Sequence, residues 1–184
     1  MVFIIYDLLG TLVLQDCQIT QSFAPRRGAL DTLRAQRRLG WMSALFADDE
    51  RKLVEEVLLK SGLAGAFAEI HSGEEIDEEG LKNLSALSKK NYWVIFVGDM
   101  TRDLRAAKKY GISFVKVLPF TSREEEFDFS EVHELIDAII SEKFGEYKEK
   151  HKLEKVYEAP EFIDFAGEHV RIRVYLDRFE AQFY

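Results

Sequence analysis

Two short apolar runs, each broken off by an aspartate, constrain this chain more than any other feature. Val2-Phe-Ile-Ile-Tyr6 runs into Asp7, and Tyr92-Trp-Val-Ile-Phe-Val97 runs into Gly98-Asp99. Uninterrupted apolar runs of this length are buried on both faces, as in a strand of a parallel sheet covered by helices. The residues between and after them follow the same plan. Pro25 and Gly28 precede a helical pattern of Leu30, Leu33 and Leu39, with Arg34, Arg37 and Arg38 on its solvent face and Gly40 at its end. Trp41 to Phe46 is a second strand. Asp48 or Asp49 stands where it can cap the next helix, in which Leu53, Val54, Val57 and Leu58 recur at helical spacing before Gly62. A third strand is expected over Phe67 to Ile70 and a helix over 81–90. The second of the two opening runs, over 92–97, is a fourth strand. A helix over 104–110 closes at Gly111, and a fifth strand covers 114–118. Strands alternating with helices in this way predict an α/β fold with a doubly wound parallel sheet.

Beyond residue 120 the pattern changes. An amphipathic helix begins at Val132 and is expected to extend toward Lys150. After it, Val170, Ile172, Val174 and Leu176 alternate with Arg171, Arg173, Tyr175 and Asp177, the mark of a hairpin with one apolar face. The chain therefore divides into an α/β core, 1–150, and a C-terminal β-hairpin extension, 151–184, joined through the polar stretch around 149–158. The apolar hairpin face needs cover, either from the core or from a second copy of the chain, so a homodimer through this hairpin is an expectation. Residues 12–23 read as a small hairpin or flap.

Composition narrows the function. A net charge of −8 argues against a nucleic-acid-binding surface, which needs clustered Lys and Arg. No apolar run approaches the roughly 20 residues that span a bilayer, and Cys17 is the only cysteine, so neither a membrane span nor an internal disulfide is expected. The expected location is the cytoplasm.

In open α/β sheets, ligands bind beyond the carboxyl ends of the strands, where strand order reverses. Asp7 and Asp99 both stand at such ends, and they converge if their strands are neighbours. Paired carboxylates there hold a hard cation such as Mg²⁺, and a carboxylate beside a cation can attack phosphorus. Gly10 permits a tight turn, the Thr11 hydroxyl can steady the loop or a phosphate oxygen, and Asp103 can brace the metal or a lysine.

These segments resemble the haloacid dehalogenase superfamily. Phe3-Ile-Ile-Tyr-Asp-Leu-Leu-Gly-Thr-Leu12 is similar to the first motif of that family, an apolar strand followed by D-x-D-G-T. Phe96-Val-Gly-Asp-Met-Thr-Arg-Asp103 is similar to the fourth, G-D-x-x-x-D. Pro25-Arg-Arg-Gly-Ala-Leu30 and Lys108-Lys-Tyr-Gly-Ile112 resemble the segments that open the first core helix and follow the fourth motif. The resemblance covers roughly residues 1 to 120. It implies a capless, Mg²⁺-dependent phosphatase acting on a small phosphorylated molecule. Asp7 would be nucleophile and metal ligand, the Leu9 carbonyl and Asp99 further ligands, and Asp103 a supporting acid.

The departures are specific. The general acid of the first motif is replaced by Leu9, which cannot transfer a proton. The phosphate-binding Ser or Thr of the second motif falls on Ala47. The lysine of the third motif falls near Gly80, with Lys82 the nearest candidate. General acid/base catalysis contributes typically about 10²–10⁴-fold, and one charge-stabilising donor about 10²–10³-fold. An enzyme lacking both would be slow, and a non-catalytic relative that binds a metabolite or a protein partner is the alternative. Haloacid dehalogenase chemistry is a minor one, because the metal-side Gly98-Asp99 is kept.

Overall fold

The computed structural model describes residues 1–184. Five strands form the parallel part of one sheet: β1 (Val2–Tyr6), β2 (Met42–Ala47), β3 (Glu69–Ser72), β4 (Trp93–Gly98) and β5 (Ser113–Lys116). The helices are α1 (Cys17–Thr20), α2 (Ala29–Arg38), α3 (Arg51–Ser61), α4 (Glu78–Ser88), α5 (Thr101–Lys109), α6 (Ser130–Ile140) and α7 (Phe144–Lys150). Four more strands follow: β6 (Glu154–Glu158), β7 (Phe162–Ala166), β8 (Val170–Tyr175) and β9 (Phe179–Phe183). All nine strands make one sheet in the order β3-β2-β1-β4-β5-β9-β8-β7-β6. The order reverses at β1, which has β2 on one side and β4 on the other, and a crevice opens there at the carboxyl ends.

β1 is buried along its whole length because successive side chains enter different cores. Ile4 and Tyr6 join the larger one with Leu33, Val54, Val57, Val132 and Leu135, beneath α2, α3 and α6. Phe3 and Ile5 join the smaller one with Leu81, Leu84, Ala106 and Ala107, beneath α4 and α5. The doubly wound parallel sheet expected from the sequence is therefore present. No helix is long and apolar enough to cross a membrane.

Several local expectations shift. The third strand begins at Glu69, two residues later than its apolar pattern indicates. Asp48 and Asp49 do not cap α3: Glu50 holds the N-cap position without a side-chain hydrogen bond, and Asp48 is drawn into an ion pair with Arg102. The clear cap belongs to α4, which starts earlier than expected and whose Gly80 N–H donates to Asp77 Oδ1 at 2.9 Å. The helix expected to reach Lys150 breaks into α6 and α7, with Glu142 between them at φ 59°. Within the polar stretch 149–158, α7 ends and β6 begins.

The extension holds the expected hairpin, β7–β8, flanked by two further strands. Its apolar face turns inward onto the chain's own core, where Val170 and Ile172 are buried, while Leu176 lies past the strand end and is exposed. β9 pairs parallel with β5 and antiparallel with β8, so the extension continues the core sheet.

Candidate active site

The register Tyr6↔Val97 brings the ends of β1 and β4 level, and the Asp7 N–H donates to the Val97 carbonyl at 3.0 Å. Asp7 thus stands level with Gly98, and Asp99 follows one residue beyond it on the adjacent strand. Asp103, on the first turn of α5, completes the group. All three are buried, and their carboxylate oxygens lie within 4.8 Å of one another. Thr11 Oγ1 lies 3.2 Å from Asp7 Oδ2 and 3.1 Å from Asp99 Oδ1. A hydroxyl has one proton to donate, so it ties the two carboxylates together through one donated bond at a time.

Two glycines make this convergence possible. Gly10 has φ 81°, and a Cβ there would come within 2.6 Å of Asp99 Oδ2. At Gly98 a Cβ would collide with the Asp103 carboxylate. Any side chain at either position forces the carboxylates apart. The loop between β1 and the flap is further held by Leu12 N–H to the Leu8 carbonyl at 2.9 Å and Phe120 N–H to the Gly10 carbonyl at 2.7 Å. The flap expected over 12–23 carries the short α1 and two isolated bridges, Leu9↔Val13 and Val13↔Pro25.

None of the three carboxylates makes an ion pair. Burial, followed by the charges of Asp103 and Asp99, holds the Asp7 carboxyl well above its ordinary range. Burial also pushes Asp103 up to about 7; the Met100 N–H and Arg102 oppose this, while Asp99 and Asp48 add to it. Crowded, desolvated carboxylates without a cation are what a metal site looks like before its metal charge is supplied. The Leu9 carbonyl accepts no hydrogen bond within the chain, so its lone pairs are available. Asp7, Asp99 and this carbonyl form an all-oxygen donor set that suits a hard divalent cation.

The other candidate residues separate. The Asp103 carboxylate accepts from the Met100 N–H at 3.3 Å, pinning the turn that carries Asp99. Ala47 is buried at the end of β2 and offers no donor. Lys82 is exposed on α4 and forms no ion pair or side-chain hydrogen bond with the carboxylates. A side chain at Gly80 would meet Asp77 Oδ2 at 2.7 Å and His71 Nδ1 at 2.9 Å, so that space is already filled.

Arg26 is a supporting residue that sequence reasoning passed over. Its side chain is completely buried; Nε and Nη2 donate to Glu125 at 2.6 and 2.9 Å, and Nη1 donates to the Thr11 carbonyl at 3.3 Å. The rings of Phe120 and Phe127 lie 5.2 and 4.7 Å from its guanidinium carbon. Arg26 was visible only as part of the segment before a helix, because its partner is 99 residues away.

Residues 11–117 match the profile of the haloacid dehalogenase-like hydrolase family, a span that begins just past Asp7 and includes Asp99 and Asp103. Among solved structures, a predicted phosphoglycolate phosphatase from Haemophilus somnus 129PT is 16% identical, with a TM-score of 0.55 over 73% of this chain and 97% of that one. A HAD-superfamily hydrolase from Ehrlichia chaffeensis is 14% identical, with a TM-score of 0.54 over 74% and 96%. CbbY from Rhodobacter sphaeroides, solved in complex with phosphate, is 17% identical, with a TM-score of 0.52 over 68% and 89%. These likenesses are of fold. No curated protein sequence matches the chain.

Proposed function

This chain belongs to the haloacid dehalogenase-like hydrolase family, and on that premise we propose that it is a Mg²⁺-dependent phosphatase of low intrinsic activity, working through an aspartyl-phosphate on Asp7. One observation carries the reading: three buried carboxylates lie within 4.8 Å of one another with no protein cation paired to them. Asp7, Asp99 and the Leu9 carbonyl would hold Mg²⁺. Bound there, the cation supplies positive charge against the phosphate oxygens. Its substrate class is a small phosphorylated molecule.

The chain's own residues then act as follows. A carboxylate oxygen of Asp7 attacks phosphorus, and the bond from phosphorus to the leaving oxygen breaks. Leu9 has no proton to give, so the leaving oxygen takes its proton from water. A second water attacks the phosphorus, the bond to Asp7 breaks, and inorganic phosphate leaves with the carboxylate restored. Thr11 keeps Asp7 and Asp99 in register through both steps, and Asp103 keeps the Asp99 turn in place. The missing acid costs about 10²–10⁴-fold in rate, which is the reason for the low activity proposed.

The test is hydrolysis of a panel of small phosphate esters with and without Mg²⁺. Turnover should require Mg²⁺ and vanish in Asp7→Asn; turnover that survives this substitution overturns the proposal. Leu9 and Ala47 favour a second reading, a non-catalytic relative that keeps the fold to bind a metabolite or protein partner. Retained Mg²⁺ binding without turnover of any ester would favour it.

A further inference from the structure

A phosphate entering this crevice meets a concentration of negative charge, and Lys82 does not stand there to offset it. Arg102 does. It lies on the first turn of α5, between Asp99 and Asp103 in the sequence, and its guanidinium pairs with the carboxylate of Asp48. Asp48 directly follows Ala47, the last residue of β2. β2 and β4 are not neighbours: β1 lies between them. Adjacent strands are about 4.8 Å apart, so β2 and β4 are separated by about 10 Å. An arginine rooted beyond β4 that reaches a carboxylate beyond β2 therefore crosses the end of β1, where Asp7 begins its loop.

The pair is also poised to open. Arg102 and Asp48 each make this one ion pair and no other side-chain hydrogen bond, and their side chains remain 52% and 21% exposed.

We propose that Arg102 is the phosphate-binding cation of this site and that Asp48 holds it in reserve until a phosphoryl group displaces the carboxylate. This rests on the reading of the crevice as a phosphate-handling site. A guanidinium presents a planar fork of donors that matches two phosphate oxygens at once. The dianion of a phosphate monoester attracts that fork more strongly than one partly exposed carboxylate does, since exposed ion pairs are weak. The exchange also carries the fork away from Asp48 and onto the ligand, so Asp48 discriminates against weakly charged ligands that cannot displace it. The ligand class is thus a phosphate monoester dianion, in preference to a carboxylate or a halide.

The test is calorimetric titration with inorganic phosphate at saturating Mg²⁺, on the full chain. Arg102→Ala should weaken phosphate binding by about tenfold or more, the worth of a charge-assisted bond, and Arg102→Lys should recover part of it. Asp48→Asn, which frees the guanidinium, should tighten binding severalfold. The double variant Arg102→Ala with Asp48→Asn should remain weaker than Asp48→Asn alone, which separates attraction by Arg102 from relief of repulsion by Asp48. If the parent binds phosphate and Arg102→Ala binds it equally well, the assignment of Arg102 falls and the proposed function stands. If Asp48→Asn binds no more tightly than the parent, the reserve role falls. If neither the parent nor Asp48→Asn binds phosphate, both the assignment and the proposed function fall.

Discussion

Mg²⁺ should raise the melting temperature of this protein, and should do so more at higher pH than at lower pH. Burial and mutual repulsion push Asp103 up to about 7 and Asp7 well above its ordinary range. In the unfolded chain the same groups lose their protons near pH 4. Between about pH 4 and about pH 7 the metal-free folded state therefore binds more protons than the unfolded state, and its stability falls as pH rises through that window. A divalent cation needs deprotonated carboxylates, so the protons that Asp7 and Asp103 hold more tightly than ordinary carboxyls compete with it as pH falls. At a free Mg²⁺ concentration tenfold above its dissociation constant, the stabilisation is RT ln 11, about 1.4 kcal/mol. For a chain of this size that is a shift of about 3–6 °C. One pH unit below the competing pKa the affinity drops about tenfold, leaving about 0.4 kcal/mol, a shift of about 1–2 °C. The assay is thermal unfolding followed by circular dichroism at about pH 8 and about pH 6, with Mg²⁺ titrated at each. An equal shift in an Asp7→Asn plus Asp99→Asn variant, or a larger shift at the lower pH, would refute the reasoning.

Leu9→Asp combined with Ala47→Ser should speed hydrolysis of an activated aryl phosphate at least about tenfold over the parent, out of the 10²–10⁴-fold an acid can supply. Leu9 packs on the larger core, so folding of this variant is checked by circular dichroism before its rate is compared. Arg26→Met should destabilise by about 3–5 kcal/mol in urea unfolding, because it leaves Glu125 without its partner; a loss below about 1 kcal/mol would mean that the pair is no more than a surface contact. Truncation after Lys152 should yield insoluble or unfolded protein, since it removes β9 from β5 and the buried Phe179, Ala181 and Phe183 from the core. A soluble product with a cooperative melt would show instead that residues 1–152 fold alone.

The parts of the fold that rest on local pattern were legible in the sequence. Ile4, Ile5, Phe96 and Val97 had to be buried on both faces, and that placed the strands and, with them, Asp7 and Asp99. The alternation from Val170 to Tyr175 gave the hairpin in the same way. What was not legible depends on partners distant in the chain. β6 reads as a polar linker because all five of its residues are exposed, and it becomes a strand only by pairing with β7. The capping role expected of Asp48 was lost to Arg102, a competitor 54 positions on that no local rule reveals. Lys82 was chosen by spacing alone, and spacing does not say which face of α4 a residue occupies. Arg26 was legible only as part of the segment before a helix, since its role is set by Glu125 and the carbonyl of Thr11.

The joint between β5 and β9 has a consequence for how the chain reaches this state. β6, β7, β8 and β9 meet their neighbours through short hairpins, and such contacts close quickly. The joint itself is remote: the Phe179 N–H donates to Ser113 Oγ across a separation of 66 residues. Closing a loop that long carries an entropic cost that grows with the logarithm of its length, lessened where α6 already packs on the core. The expectation is that the C-terminal hairpins pair early and that β9 joins β5 late. If that joining is the late, cooperative step, hydrogen exchange should find the β5–β9 amides opening together while those of β1 and β4 stay protected.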